Sequence, residues 1–177
     1  MAAQSLEFWT RLLHLSGFVV AHCEEQTQPP RYCFTVVAEN RFGACPHCNK
    51  ASDTVHQTRT RERIVDLPIS GHAVELKVRV GQFQCERCAV AFTPPVPFLA
   101  EGAHATERFL ERAAVLIRSS DVANVANFYG LPEQTLARWY YDYIERRQTT
   151  SNTPLKPIQR IGIDELSLKK NIDNSSP

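Results

Sequence analysis

The sequence lacks the features that would place it in a membrane or mark it for export. No apolar run approaches the roughly 20 residues that a membrane-spanning helix needs. The N-terminus has neither the basic start nor the cleavage site of a signal peptide. Internal repeats and low-complexity segments are absent as well. The 177 residues therefore predict one or two small folded domains, with no membrane partner.

A strong overall charge is also missing. The formal net charge is +1 and charged residues make up 22% of the chain, so composition alone indicates no nucleic-acid partner. Residues 41–88 hold eight Lys and Arg against five Asp and Glu, whereas residues 101–150 hold six against seven. The mild basic excess therefore surrounds a group of cysteines.

Four of the six cysteines form two matched pairs, each with two residues between its thiols. The four residues are Cys45, Cys48, Cys85 and Cys88. A tight turn can direct both sulfurs of such a pair to one point, and two turns supply the four ligands of a tetrahedral structural zinc site. Iron in the same cage, two disulfides and unpaired buried thiols are the alternatives. His47 lies inside the first turn, where ligation is sterically awkward, and we expect it to be a bystander.

The other two cysteines, Cys23 and Cys33, lie in segments that resemble strands. We expect both to be buried free thiols, because Cys packs well in cores. A supplementary metal site that includes His22 is the alternative.

The first forty residues predict a helix followed by a hairpin. Ser5 can cap a helix that places Leu6, Trp9 and Leu13 on one face, and Gly17 can end it. Residues 18–24 and 32–39 are rich in Val, Phe and Tyr and are typical of strands.

The segment between the cysteine pairs predicts a small antiparallel sheet. Residues 72–80 alternate strictly, with Val74, Leu76, Val78 and Val80 on one face. Residues 66–71 form a predicted turn, and 58–65 supply a basic partner strand. Five basic side chains would lie on the outer surface, where they form either a solvated face or a contact with the DNA backbone: Arg59, Arg61, Arg63, Lys77 and Arg79.

After a proline-rich connector at 94–97, the apolar period becomes helical. The pattern predicts helices from Thr106 to about Ser119, over 122–129, and from Glu133 to about Arg147. The 122–139 stretch has the small residue, turn glycine and apolar corner of a helix-turn-helix, whose second helix enters the DNA major groove. The candidate base contacts are Glu133, Gln134, Thr135 and Arg138, and the candidate phosphate contacts are Arg146 and Arg147. A helical bundle that binds protein, or nothing, is the alternative.

The predicted class is α+β: a small antiparallel zinc ribbon with an N-terminal helix and strands, followed by a three-helix helix-turn-helix domain. The predicted regions are 1–40 (helix and hairpin), 41–98 (four-cysteine ribbon), 102–147 (helix-turn-helix), 148–158 (linker) and 159–177 (a further strand).

The order of these motifs resembles the ISL-three family of bacterial insertion-sequence transposases. The matching stretches are Cys45-Pro46-His47-Cys48, residues 63–68, residues 84–88 with Phe92, the helix-turn-helix, and Ile161-Gly162-Ile163-Asp164-Glu165. The resemblance implies an N-terminal region that recognises the terminal inverted repeats of the element as double-stranded DNA, in the bacterial cytoplasm. A homodimer is left open.

In that family a ribonuclease-H-like domain cuts and joins DNA through an acidic triad that holds Mg²⁺. Asp164 lies where the first triad carboxylate is expected, and 159–177 would be the remnant of the first catalytic strand. Only 13 residues follow Asp164, and the other two acidic positions have no counterpart. We therefore expect a DNA-binding portion without catalysis of its own, cut short after a vestigial Asp164.

Four other functions remain as alternatives. They are an active strand transferase completed by another polypeptide, a zinc-stabilised protein-interaction adaptor, a DNA binder that resembles a transcription regulator, and a rubredoxin-like electron carrier.

Overall fold

The computed structural model describes residues 3–150, in four helices and seven strands. Asp164, the predicted strand over 159–177 and most of the predicted linker lie outside the described residues. The elements in chain order are α1 (Ala3–Leu13), β1 (Phe18–Thr27), β2 (Pro30–Ala38), β3 (Gly43–Ala44), β4 (Ala51–Ser52), β5 (Val55–Ile69), β6 (His72–Cys85), β7 (Val90–Phe92), α2 (Glu107–Ser119), α3 (Val122–Tyr129) and α4 (Glu133–Thr150).

One five-stranded sheet forms the centre of the molecule, in the order β1-β2-β6-β5, with β7 also paired to β6. The β1–β2 and β5–β6 pairs are antiparallel, whereas β2 and β6 run parallel. The predicted hairpin of 1–40 and the predicted ribbon of 41–98 therefore share one sheet. The mixed α+β class agrees with the sequence pattern.

The core lies on one face of this sheet. Val74, Leu76, Val78 and Val80 are all at most 4% exposed, which confirms the alternation along β6. Helix α1 covers β1 through its inward residues Leu6, Trp9 and Leu13. The strand and helix are also joined by a hydrogen bond, in which the Val20 N–H donates to Thr10 Oγ1 at 2.9 Å.

Two local details differ from the sequence prediction. Ser5 lies inside α1 rather than at its start, and the helix ends at Leu13, followed by His14 with φ 47°. Gly17, with φ 73°, comes later and leads into β1. Strand β5 continues to Ile69, so the turn before β6 is confined to Ser70 and Gly71 and is shorter than the predicted 66–71.

The helices α2 and α3 are each capped by a side chain at their N-terminus, and Asp121 rather than the alternative Ser120 caps α3. Thr106 accepts a hydrogen bond from the Phe109 N–H and Asp121 accepts one from the Asn124 N–H, which satisfies backbone donors at the starts of α2 and α3. Gly130 ends α3 in the left-handed conformation, at φ 66°. Helix α4 runs to Thr150, three residues beyond the predicted end, so the predicted linker begins as helix. No helix among the described residues has the length and apolarity to span a bilayer.

A junction of buried polar groups joins the sheet to the helices. The Asp66 carboxylate, in β5, accepts hydrogen bonds from Thr106 Oγ1 at 2.7 Å and from Arg108 Nε at 2.8 Å, and forms an ion pair with Arg108 Nη2. Arg108 Nη1 donates to the carbonyl oxygen of Leu13 at the end of α1. The backbones of Val65 and Ala105 also pair as a parallel bridge. We call Asp66, Thr106 and Arg108 the junction cluster.

Candidate metal centre and nucleic-acid interface

Each cysteine pair lies in the turn of a short hairpin. The β3–β4 hairpin holds Cys45 and Cys48, and the turn is closed by bonds from the Cys45 N–H to Lys50 O at 2.9 Å and from the Asn49 N–H to Cys45 O at 2.8 Å. The β6–β7 hairpin holds Cys85 and Cys88. The residue after each second cysteine is left-handed: Asn49 at φ 55° and Ala89 at φ 53°. The two turns therefore have matched geometry.

The four sulfurs of Cys45, Cys48, Cys85 and Cys88 meet at one point. All four Sγ atoms lie within 4.8 Å of one another, and those of Cys48 and Cys85 are 3.7 Å apart. A zinc ion with Zn–S bonds of about 2.3 Å in a tetrahedron places its sulfurs about 3.8 Å apart, so the cage fits the ion. A disulfide needs an S–S distance of about 2.05 Å, and all six cysteines are free thiols.

The thiols of the cluster shift one another's pKa values in opposite directions. Burial raises the pKa of the Cys45 thiol, but hydrogen bonds from the backbone of His47 and Cys48 and from neighbouring thiols outweigh it and bring the pKa to about 7. The hydrogen bond with the Cys48 thiol, followed by burial, raises the pKa of Cys88 to about 12. Four thiolates in this space would repel one another, and a bound zinc ion would supply the compensating positive charge.

A small apolar cluster supports the metal turns. Phe83 and Phe92, at 4% and 7% exposure, pack beneath Cys45 and Cys85. Gly43 leaves room for them: a Cβ there would lie 2.6 Å from Pro94 Cγ and 3.0 Å from the Phe83 ring. The two hairpins are further tied where Ser52 Oγ donates to Gln84 O at 2.6 Å.

The remaining Cys and His candidates do not join this centre. His47 is exposed, and the group of side chains that can hold a metal within residues 3–150 consists of the four cysteines alone. Cys23 is buried in the core at 3% exposure and is paired in register with Phe34, whereas Cys33 is paired with Glu24 and lies on the opposite sheet face. The structure therefore does not bring Cys23 and Cys33 together as a second ligand set.

Helix α4 presents an exposed polar stripe and is anchored by its opposite face. Leu136, Trp139 and Tyr143 are at most 5% exposed and pack against α2 and α3. Gln134 and Arg138 are exposed on the outer face, one turn apart, and no partner for either is found among the described residues. Glu133 is exposed and Thr135 half-buried at the same end of the helix.

Arg146 and Arg147 are placed differently from Arg138. Arg147 lies about 180° around the helix from Arg138, donates to the Tyr143 hydroxyl at 2.6 Å and is 3.8 Å from Glu111. Arg146 is half-buried, with Nη1 3.7 Å from Glu101 Oε2. Both guanidinium groups therefore already have partners within the protein.

Two exposed aromatic side chains of α3 and α4 were not singled out from the sequence. Tyr141 is 64% exposed and lies three residues after Arg138 on the same helix face, and Phe128 is 72% exposed at the end of α3. The i, i+4, i+7 spacing of Gln134, Arg138 and Tyr141 is the sequence pattern that places Tyr141 on the same helix face.

The fold and the cysteine cage define a zinc-ribbon protein that also carries a helix-turn-helix. Residues 41–88 match the family model described as the zinc-finger of transposase IS204/IS1001/IS1096/IS1165, and residues 94–144 match the helix-turn-helix domain of transposase family ISL3. The chain thus carries the two domains of the N-terminal region of ISL3-family transposases.

A curated relative agrees with the family models. Over 126 residues the chain is 29% identical to the "Transposase for insertion sequence element IS1001" of Bordetella parapertussis. The alignment covers 71% of this chain and 30% of that protein, so the chain spans less than a third of its relative's length. No solved structure matches the chain.

Proposed function

We propose that α2, α3 and α4 form a three-helix DNA-binding unit, with α3 and α4 as the helix-turn-helix. Helix α4 would lie in the major groove and read base edges through Gln134 and Arg138, with Glu133 and Thr135 beside them. Arg bonds guanine bidentately and Gln does the same with adenine. The observation that carries the proposal is the exposure of this polar stripe on a helix whose other face is fixed in the core.

The proposed target is the terminal inverted repeat of an insertion sequence. The support is the match of both domains to transposase models and the printed name of the curated relative. In this role the zinc ion stabilises the fold and takes no part in chemistry. Strand transfer with Mg²⁺ is proposed only for full-length family members, and Asp164, the candidate for its first carboxylate, lies outside the described residues.

Arg146 and Arg147 remain proposed phosphate contacts, although each, unlike Arg138, already has an acidic neighbour. Each would have to exchange an acidic neighbour, Glu101 or Glu111, for a phosphate. Both ion pairs are partly solvated, and such pairs contribute at most about 1 kcal/mol, so the exchange is energetically feasible.

Fluorescence anisotropy with a duplex of the terminal repeat and a scrambled duplex tests the proposal. The native chain should prefer the repeat, and affinity for both should fall with salt. Arg138→Ala should cost about 1–3 kcal/mol on the repeat and relax the preference at one base pair. The matched control is Arg11→Ala, an exposed arginine on α1, which should leave the preference unchanged.

Other outcomes of this titration favour the other functions. Equal affinity for the repeat and the scrambled duplex, with no binding lost in Arg138→Ala, would favour a protein-binding adaptor. Selection from a pool of random duplexes that yields a sequence unrelated to the repeat would favour a DNA binder that resembles a transcription regulator. Light scattering of the free and DNA-bound chain decides between a monomer and a homodimer.

A further inference from the structure

The outer half of β5 carries arginines that the fold leaves without acidic partners. Arg59 and Arg61 are exposed, and no ion pair to either is found within residues 3–150. Glu62 is the acidic residue on this part of the strand, and its Oε1 forms an ion pair with Lys77 Nζ at 2.7 Å. Since β5 is an edge strand of the sheet, these arginines border open solvent.

The pairing register places Arg59 and Arg61 on the side of the sheet that holds the helices. Arg59 is the cross-strand partner of Val80 and Arg61 that of Val78, and such partners project to the same face. That face is the core face, which the 95–104 loop also covers through Val96. Arg79, in contrast, pairs with Thr60 and projects to the opposite face.

A continuous surface connects Arg61 to α4. Arg61 lines an open cleft between β5 and the 95–104 loop, and Glu101 lines the same cleft. Glu101 in turn is 3.7 Å from Arg146 of α4. The cleft therefore extends from Arg61 on the strand to Glu101, the residue that contacts α4.

The junction cluster fixes the separation of these two regions. Asp66 lies five residues beyond Arg61 on the same strand and binds both Thr106 and Arg108 at the start of α2. Strand β5 and the helical unit are thus held as one body at this point. Basic groups on the strand have a constant position relative to α4.

We propose that Arg59 and Arg61 form a second surface for the DNA backbone, which binds phosphates flanking the base pairs read by α4. This inference rests on the proposed function and adds a sequence-independent contact to it. Guanidinium groups are suited to phosphate because they can donate two parallel hydrogen bonds. Such contacts carry affinity and salt dependence, whereas base contacts carry the preference for one sequence.

The test compares the Arg59→Ala/Arg61→Ala chain with the native chain on repeat and scrambled duplexes between 50 and 200 mM salt. Each lost phosphate contact should lower the slope of log affinity against log salt by about 0.9. The double variant should therefore lose about tenfold less affinity over this range than the native chain. Its ratio of affinities for the two duplexes should stay unchanged. Arg79→Ala, with an exposed arginine on the other face, is the matched control and should have the native slope.

Three results would overturn the inference. A native slope in the double variant would show that the strand does not touch DNA, while the proposed function would stand if Arg138→Ala still relaxed the preference. A loss of slope of about 0.9 in Arg79→Ala, equal per arginine to the loss in the double variant, would assign the effect to general charge rather than to this face. No binding of either duplex by the native chain would refute the proposed function together with this inference. Zinc content and circular dichroism confirm that each variant is folded.

Discussion

The junction cluster should respond very differently to the loss of its arginine and to the loss of its acid. The Asp66 side chain is 0% exposed, whereas that of Arg108 is 36% exposed. Arg108→Met leaves a buried carboxylate whose remaining described partner is Thr106 Oγ1. Removing one partner of a buried pair costs about 3–5 kcal/mol because the other charge stays desolvated. That is a large share of a typical domain stability of about 5–15 kcal/mol.

Asp66→Asn should cost less, about 1.5–3 kcal/mol, the value of hydrogen bonds to a charged group. The amide keeps one acceptor for Thr106 and Arg108, and the partly exposed guanidinium can turn toward water. The hydrogen bond to Asp66 raises the pKa of the Arg108 guanidinium and outweighs the lowering effect of burial. Arg108 stays charged across the accessible pH range, so this cost should not depend on its titration.

Urea unfolding of the zinc-loaded protein, followed by circular dichroism, measures these differences. The double variant Asp66→Asn/Arg108→Met should lose about 1–3 kcal/mol less than the two single losses together, because the uncompensated charge is gone. Arg11→Met, which breaks an exposed pair with Glu7 whose side chains are 76% and 66% exposed, is the control and should cost about 0.5 kcal/mol or less. Strictly additive losses, or a greater loss in Asp66→Asn than in Arg108→Met, would refute the reasoning.

Three further predictions concern the metal turns and the helix corner. Cys85→Ser should abolish stoichiometric zinc in elemental analysis, because each thiolate is a ligand, whereas Cys33→Ser, outside the cage, should retain it. Gly43→Ala should destabilise the metal turns by about 1–3 kcal/mol, because the added methyl overpacks against Pro94 and Phe83. The measurement is the rate of zinc release to a chelator, which should rise. Ala44→Ser, a change at an exposed neighbouring position, should release zinc at the native rate. Gly130→Ala should lower the free energy of unfolding in urea by about 1–2 kcal/mol. Nothing lies within 4 Å of the added methyl, so the cost comes from the left-handed backbone alone. Gly130→Asn should cost less, and equal costs in the two variants would contradict a backbone origin.

Features set by neighbouring residues could be predicted from the sequence. The caps Thr106 and Asp121 and the turn at Gly130 depend on a few adjacent residues, and the structure has all three. The alternation along β6 needed only its own period of two. The cysteine spacing likewise determines a turn whose sulfurs converge.

Features that depend on distant partners could not be predicted in this way. Asp66 precedes a Leu-Pro pair and was assigned to a turn, but it is buried in β5 because Arg108, 42 residues away, neutralises it. The parallel pairing of β2 with β6 has no local signature either, since both strands alternate similarly whichever neighbour they take. The face of Arg59 follows from the register of β5 against β6, which an irregularity between Arg61 and Ile64 shifts.

The distribution of apolar contacts indicates how far loss of the metal should spread. The apolar cluster at the zinc turns has four buried residues, and two of these are the cysteines Cys45 and Cys85. The sheet core, in comparison, has 13 buried residues and the helical core has 12. A cluster of that size cannot offset the conformational entropy of its loops without the ion. The helical core, in contrast, extends onto β5 through Val65 and Leu67 and is locked there by Asp66. Removal of zinc should therefore unfold the two metal turns while the sheet, the junction cluster and the α4 stripe keep their arrangement.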